Sequence, residues 1–393
     1  MRVLILGGLA ESLINFRGDL IRSLIERGVQ VHAAAPDLSS ESPAARELGR
    51  LGVSTHNVRM SRAGMNPLAD LRALVDLFLL ARRVRPDCFF GYTIKPVVYG
   101  TITATLAGVP RRVVMVTGIG FAMQGGGVRS ALRALTENLY RVALGCASEA
   151  IFQNPDDHDL FVARRLAPRS LKTRVVNGSG INLSRFPETA LPGAPIVFLM
   201  IARLLREKGV REYLEAAARI RTVFPSVVFR LVGPFETGPD RFDHRVLQEF
   251  IDAGVIEYLG PLSDVLPQLQ HCTVYVLPSY REGTPRTVLE AMSVGRPIIT
   301  TDVPGCRQTV EHGVNGFLVP ARSVDALVSS MTFLIESPQL RCAMAGASRR
   351  LAESKYDVDK VNEDTIAGIL GGKSVRRQSG GRNGGADGAQ TTF

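Results

Sequence analysis

The sequence predicts an α/β protein of two doubly wound domains that face each other across a cleft. Short apolar runs alternate with helical segments, the pattern of parallel α/β units. The alternation starts afresh after Val175-Val176-Asn177-Gly178-Ser179-Gly180, where turn residues cluster and Pro187, Pro192 and Pro195 follow. A length of 393 residues, 45% of them hydrophobic, supports two sizeable cores. The expected spans are a first domain over 1–178 and a second over 179–371 that ends in a crossing helix. Over 372–393 the chain turns basic, polar and glycine-rich, which predicts a disordered tail.

In the first domain, apolar runs place strands at Val3–Leu6, Val29–Ala35, Cys88–Gly91, Arg112–Thr117 and Ala150–Gln153. Helical spacing places helices at Phe16–Arg27, Leu68–Val84, Val97–Ala107 and Ser130–Cys146. The second domain opens with a strand at Ile196–Ala202 and a helix at Val210–Phe224. Strands at Val227–Val232, Ile256–Leu259, Val274–Leu277 and Pro297–Thr300 follow, and Ser354–Leu370 reads as the final helix.

Charge is uneven: the net is +9 over residues 1–178, −2 over 179–371 and +3 over the tail. A basic first half calls for an anionic partner. Nucleic acid fits poorly, because aromatics are 6%, Trp is absent and no nucleic-acid-binding motif occurs. An anionic membrane surface fits better. Leu68, Leu71, Leu74, Val75, Phe78 and Leu79 fall at helical spacing, and Arg82-Arg83-Val84-Arg85 closes that segment. Packing of the same stripe on the domain's own sheet explains it equally well. No apolar run of about 18 residues could span a bilayer. Met1-Arg2 leads straight into the first strand, so no signal peptide is expected. Five scattered cysteines without a CxxC pair suggest a reducing compartment and no zinc site. The expected location is cytoplasmic, with peripheral contact to the inner face of the cytoplasmic membrane.

The most informative run is Ser279-Tyr280-Arg281-Glu282-Gly283-Thr284-Pro285-Arg286-Thr287-Val288-Leu289-Glu290, which crosses from a strand into a helix. Thr284 is expected to cap the helix and Pro285 to begin it. Amides from Gly283 to Thr287 would then point at an anion. Glu282 and Glu290 bracket that site, although an ordinary capped helix with two solvated glutamates has the same sequence. Arg203 and Lys208 follow the second domain's first strand, where two cations could neutralise a diphosphate. Gly7-Gly8 follows the first strand but lacks the third glycine of GxGxxG, which disfavours a dinucleotide oxidoreductase. Those glycines, with Asn15-Phe16-Arg17-Gly18, are expected to admit substrate close to the backbone. No GxSxG or Walker A loop occurs, and neither DxD string, at Asp157 or Asp357, follows a buried strand into an obvious cleft, so no metal is expected.

Together these residues resemble the family 4 glycosyltransferases of the GT-B fold, two Rossmann-like domains around a cleft. Arg203-x4-Lys208, Glu282-Gly283-x6-Glu290 and Gly305-Cys306-x2-Thr309-Val310 through Val319 carry the resemblance. Tyr92-Thr93-Ile94-Lys95-Pro96 and Thr117-Gly118-Ile119-Gly120-Phe121 look like the bacterial branch acting on undecaprenyl-diphosphate saccharides. The resemblance implies that Arg203 and Lys208 hold a donor diphosphate, Glu282 contacts the donor sugar and Glu290 binds the ribose. Gly283, Thr284, Pro285, Arg286 and Thr287 would complete the phosphate site, and Gly233-Pro234 with Leu259-Gly260 would line the nucleobase pocket. Gly7, Gly8, Asn15, Phe16, Arg17, Gly18, Tyr92, Thr93, Lys95, Gly118 and Gly120 would form the acceptor side. The implied partners are a nucleotide sugar, UDP-linked by expectation, and a lipid-linked or polysaccharide acceptor; no cofactor is implied. Many relatives carry a histidine where this chain has Gly91 to Lys95, so the backbone or the Tyr92 and Lys95 side chains must face the donor sugar. A GT-B-fold UDP-sugar 2-epimerase and a non-catalytic nucleotide-sugar-binding protein are the alternative readings.

Overall fold

A computed structural model describes residues 1–61, 66–119, 129–238 and 240–371. Gly120 and the 372–393 tail lie outside the described residues. Two all-parallel sheets are present. The first contains β1 (Arg2–Leu6), β2 (Gln30–Ala35), β3 (Ser54–Asn57), β4 (Cys88–Tyr92), β5 (Arg111–Val116), β6 (Glu149–Phe152) and β7 (Lys172–Val175), in the order β3-β2-β1-β4-β5-β6-β7. The second contains β8 (Val197–Ile201), β9 (Val228–Val232), β10 (Glu257–Tyr258), β11 (Val274–Leu277), β12 (Ile298–Thr301) and β13 (Gly316–Val319), in the order β10-β9-β8-β11-β12-β13. In each sheet the strand order reverses beside the domain's first strand, at β1/β4 and at β8/β11. Such a switch point opens a crevice at the carboxyl ends of the strands. Gly7-Gly8, Thr93 to Pro96, Arg203 to Lys208 and the run from Ser279 to Glu290 follow these four strands.

The central strands match their expected positions because they are buried on both faces and read as continuous apolar runs. Edge strands β3 (Ser-Thr-His-Asn) and β7 (Lys-Thr-Arg-Val) are largely polar and give no such signal. The expected Phe16–Arg27 helix is found over Gly18–Glu26, and a short helix not expected from the sequence, Ala10–Asn15, precedes it across a break at Phe16-Arg17. The closing helix starts at Val358 rather than Ser354, because the Asp357 carboxylate accepts from Asp359 N and sets a new cap. Its Val361, Ile366, Ile369 and Leu370 pack into the core of the first sheet, so this helix returns to the domain in which the chain began. Arg111 Nε donates to Gly368 O at 2.8 Å, and Arg111 also pairs with the fully buried Glu149.

The helix Pro67–Val84 settles its own amphipathic reading. Asn66 Oδ1 accepts from Leu68 N and Ala69 N, capping the start. Ala73, Leu77, Ala81 and Val84 face the core. Leu68, Leu71, Val75 and Leu79 are 72%, 58%, 49% and 59% exposed, on the side that also bears the exposed Arg72, Arg82 and Arg83. The inward face thus combines two alanines with Leu77 and Val84, while four large apolar side chains face outward. Among the described residues no helix is long and apolar enough to cross a membrane.

His32 on β2 and His56 on β3 stack with ring centroids 5.3 Å apart, and His32 Nδ1 lies 3.0 Å from His56 Nε2. Only one proton fits between the two nitrogens. Burial, reinforced by the charge of His32, lowers the His56 pKa from 6.5 to about 4, and burial also lowers that of His32. A lowered folded pKa means that the unfolded chain binds the proton first. The pair's contribution to stability is therefore complete above about pH 6.5 and is lost as pH falls through 6.5 toward 4. Thermal midpoints measured across this range should fall with acidification, and less steeply in His56→Asn; equal slopes would show that the pair does not titrate in this way.

Candidate functional site

At the second switch point, the chain leaves β8 through Arg203 and forms a short turn at Arg206–Lys208. Gly209 follows in the left-handed region at φ +72°, and a Cβ there would lie 2.1 Å from Pro278 O. Only glycine lets this turn press against the end of β11. The result is a contact of 2.6 Å between Lys208 Nζ and Glu282 Oε1, to which Ser279 Oγ also donates at 2.8 Å. The two side chains are 12% and 16% exposed, so the pair is well shielded from water. Arg203 stands apart from them, with Nη1 3.2 Å from Glu236 Oε1 and 43% of its side chain exposed. An exposed pair of that kind is weak and easily exchanged for another anion.

The helix after β11 begins one residue later than its sequence suggests. It spans Arg286–Ser293, with Pro285 in the capping position and no side chain capping the first turn. Thr284 does not cap, because its hydroxyl is drawn across the cleft to donate to Gln153 O at 3.0 Å. The uncapped first turn leaves backbone amides to serve an incoming anion. Arg286 Nε lies 3.0 Å from Glu290 Oε1 one turn on. Burial raises the Glu290 pKa, and the Arg286 charge opposes the shift. Thr287 turns its hydroxyl inward, where Tyr275 OH donates to it at 2.6 Å, leaving its amide for a ligand. Beside these elements Gly233 N donates to Gly260 O at 2.9 Å, and Tyr258 OH donates to Gly233 O at 2.8 Å. A Cβ on Gly233 would sit 1.8 Å from Ala202 O. Pro234 O accepts from Leu204 N at 2.9 Å, and Leu259 continues the strand ladder to Leu231.

The first switch point brings Gly7 and Gly8 against Tyr92 and Thr93. A Cβ on Gly7 would lie 2.5 Å from Tyr92 Oη, and one on Gly8 would lie 2.8 Å from Thr93 Oγ1. Asn15 and Phe16 are exposed and Gly18 opens the next helix, whereas Arg17 is buried. The expectation that Tyr92 or Lys95 reaches the donor sugar needs correction. Tyr92 is 2% exposed, shares a hydrogen bond of 2.8 Å with Ser12 Oγ, and burial pushes its pKa up to about 12. Lys95 Nζ donates to Asp70 Oδ1 and Ser61 Oγ, both at 2.8 Å. The backbone alternative remains. Thr93 is held at φ +69°, a conformation that β-branched residues avoid and that occurs preferentially at functional sites.

The two halves meet around Gly283, through expected site residues and, from the helix after β6, through Asn154, Asp156 and Asp157, to which no site role was assigned. A Cβ on Gly283 would lie 2.2 Å from Thr117 O, and one on Gly118 would lie 3.2 Å from Gly283 N. Asn154 Nδ2 donates to Gly283 O at 2.6 Å. Arg281 pairs with the fully buried Asp157, and Asp156 accepts from Gln308 and, at 3.0 Å, from Arg307 Nη1. The expectation for the Asp157 string needs correction: it does follow a buried strand, β6, to the contact between the halves, where Asp157 is an anchor for Arg281, while Asp357 caps the closing helix and Asn154 caps the helix Pro155–Ala163. Among the described residues no three metal-ligating side chains come together. Asn154 carried a legible signal, since Asn-Pro-Asp-Asp reads as a helix start, but its second bond depends on tertiary contact.

Known proteins match both halves. Residues 15–178 match the family described as glycosyl transferase 4-like domain, and residues 184–351 match glycosyl transferases group 1. The chain is 29% identical, over 88% of its length and 92% of the relative's, to an N,N'-diacetylbacillosaminyl-diphospho-undecaprenol α-1,3-N-acetylgalactosaminyltransferase of Campylobacter jejuni. It is 25% identical, over 75% of its length and 78% of the relative's, to an Escherichia coli UDP-Gal:α-D-GlcNAc-diphosphoundecaprenol α-1,3-galactosyltransferase. Among solved structures, HepE of Anabaena in complex with UDP superposes with a TM-score of 0.75 at 20% identity, covering 94% of this chain and 100% of that one. Sucrose-phosphate synthase of Thermosynechococcus elongatus gives 0.77 at 16% identity, covering 93% and 97%.

Gly283→Ala tests the contact between the halves. The added methyl has no room beside Thr117 O, so the cleft must open. Small-angle scattering should report a larger radius of gyration with little loss of thermal midpoint, because neither core is touched. An unchanged radius would mean that Gly283 does not set the closure.

Proposed function

This chain belongs to the family 4 glycosyltransferases of the GT-B fold, and we propose that it transfers a hexose or N-acetylhexosamine from a UDP-sugar to a lipid-linked saccharide with retention of configuration. The observation that carries this reading is the Lys208–Glu282 pair at 2.6 Å, held at the second switch point and facing the first domain through Gly283. Without ligand, the carboxylate holds the ammonium in place. A donor diphosphate competes for Lys208 as a stronger anion, with Arg203 leaving Glu236 to join it. Glu282 then accepts from a donor-sugar hydroxyl, while the buried Glu290 accepts from the ribose. Positive charge fixed near the leaving diphosphate counts most where charge develops as the glycosidic bond breaks. The diphosphate itself takes the acceptor proton, so no paired acid and nucleophile are required. These cations do the work that a metal ion does in other transferases. The lipid-linked acceptor is supported by the names of the two bacterial relatives.

Docking on an anionic membrane surface accompanies this reading. Leu68, Leu71, Val75 and Leu79 offer an apolar face beside Arg72, Arg82 and Arg83, which suits shallow insertion among anionic headgroups. The acceptor's lipid would hold it at that same surface.

Two measurements decide these points. Purified protein given UDP-sugars and undecaprenyl-diphosphate saccharides should transfer sugar with retention and be indifferent to EDTA, and Lys208→Ala or Glu282→Ala should lower kcat by about a hundredfold or more. Transfer that survives both substitutions would overturn the assigned roles. In the second, vesicles containing phosphatidylglycerol should sediment the wild-type protein, while Leu71→Ser/Leu79→Ser stays in solution. Equal sedimentation of the two proteins would remove the membrane face.

A further inference from the structure

Three arginines are buried among the described residues: Arg17, Arg27 and Arg296. Two of them are saturated by the fold. Arg296 donates to the carbonyls of Thr189, Ala190, Leu269, Gln270 and Gly295. Arg27 donates to Ser23 O and pairs with Glu363. Arg17 is different. It is 3% exposed and faces no carboxylate in the described structure, its Nη2 meets only the thioether of Met115 at 2.8 Å, and its Nε has no partner at all. Its Cζ lies 5.0 Å from the Tyr92 ring centroid, a contact that offsets only part of the cost of desolvation.

A desolvated cation without an anion weakens a fold, so a purely structural arginine would not be left in this state. Its location explains it. Arg17 precedes the helix Gly18–Glu26 and lies against Tyr92 and Met115, near the carboxyl ends of β4 and β5, beside the first switch point. The Arg286 guanidinium of the second domain stands over the ring of Phe16, the adjacent residue, at 5.5 Å. The Lys208 cation, in contrast, already has its carboxylate. We propose that Arg17, with Arg286 opposite, receives a phosphate group of a substrate on the first-domain side of the cleft, at a subsite separate from the Lys208–Glu282 pair. This deepens the transferase reading and rests on it for the identity of the phosphate, which belongs either to the donor nucleotide or to the lipid diphosphate of the acceptor.

The test is equilibrium binding of UDP and of farnesyl diphosphate, a soluble prenyl diphosphate, to the full chain and to Arg17→Met and Arg17→Lys. The Met side chain keeps the length and removes the charge. Ligand-free Arg17→Met should melt no lower than the wild type, because an uncompensated charge has gone. It should bind at least one probe about tenfold more weakly, and Arg17→Lys should recover part of that loss. Weakening confined to UDP places the donor at the subsite; weakening confined to farnesyl diphosphate places the acceptor there. The proposal is overturned if Arg17→Met melts well below the wild type or fails to fold, which would make the arginine structural. It is equally overturned if Arg17→Lys and Arg17→Met both bind the two probes as the wild type does. Binding is read here without turnover, so an Arg17-dependent probe in a protein that transfers no sugar would retire the transferase reading and leave the subsite standing.

Discussion

The cleft depends on backbone meeting backbone where no side chain fits. Gly283 lies against Thr117 O, Gly118 against Gly283, and Gly305 against Glu282 O. The loop that presents Glu282 is thus clamped between one carboxyl-end loop of its own sheet, carrying Gly305, and one of the other sheet, carrying Thr117 and Gly118. Asn154 and the Arg281–Asp157 pair then fix it from the side. A carboxylate on such a loop can be positioned to a fraction of an ångström without a rigid element beneath it. This placement is the precondition for selective stabilisation of a transition state. It also ties chemistry to closure, since the groups that hold Gly283 belong to the first domain.

Charge follows from that geometry. Excluding water strengthens every attraction inside the cleft and raises the cost of every charge left alone. The second domain meets this cost in the ligand-free protein by pairing Lys208 with Glu282 and Arg286 with Glu290. The first domain does so for Lys95, through Asp70, but not for Arg17. Cations already paired must be released by a competing anion, whereas an unpaired one gains its full interaction on binding. The two sides of the cleft thus have unequal appetites for phosphate, the first-domain side holding the stronger unmet demand.

The central elements were legible because two-sided burial leaves a continuous apolar run, which the strands Val3–Leu6 and Val274–Leu277 carry. The meeting of Lys208 with Glu282 was legible only as a pair of motifs, since 74 residues separate them. The cap at Thr284 fails for a tertiary reason: the hydroxyl is held across the cleft, where it donates to Gln153 O, instead of accepting from the first-turn amides of its own helix. The expectation for Tyr92 rests on the histidine that relatives carry in that segment, and the sequence does not reveal that Gly7 leaves room for the ring to be buried. The helix Pro67–Val84 shows a further limit. Periodicity gives the stripe, but which stripe faces inward depends on how close the helix lies to the sheet, and Ala73 and Ala81 are the residues that set that distance.

The closing helix links these observations to stability. By sequence position it belongs to the second domain, yet Val361, Ile366, Ile369 and Leu370 are part of the first core, and Arg111 ties Gly368 O to the buried Glu149. Chain crossing at both ends keeps the domains from separating far, so closure reduces to a small rotation about the crossings. The contacts at Gly283, Asn154, Asp156 and Asp157 are polar, and polar contacts between domains yield to relative motion more readily than a hydrophobic interface does. The fold therefore confines the opening motion through the crossing helix and leaves its extent to the cross-domain hydrogen bonds.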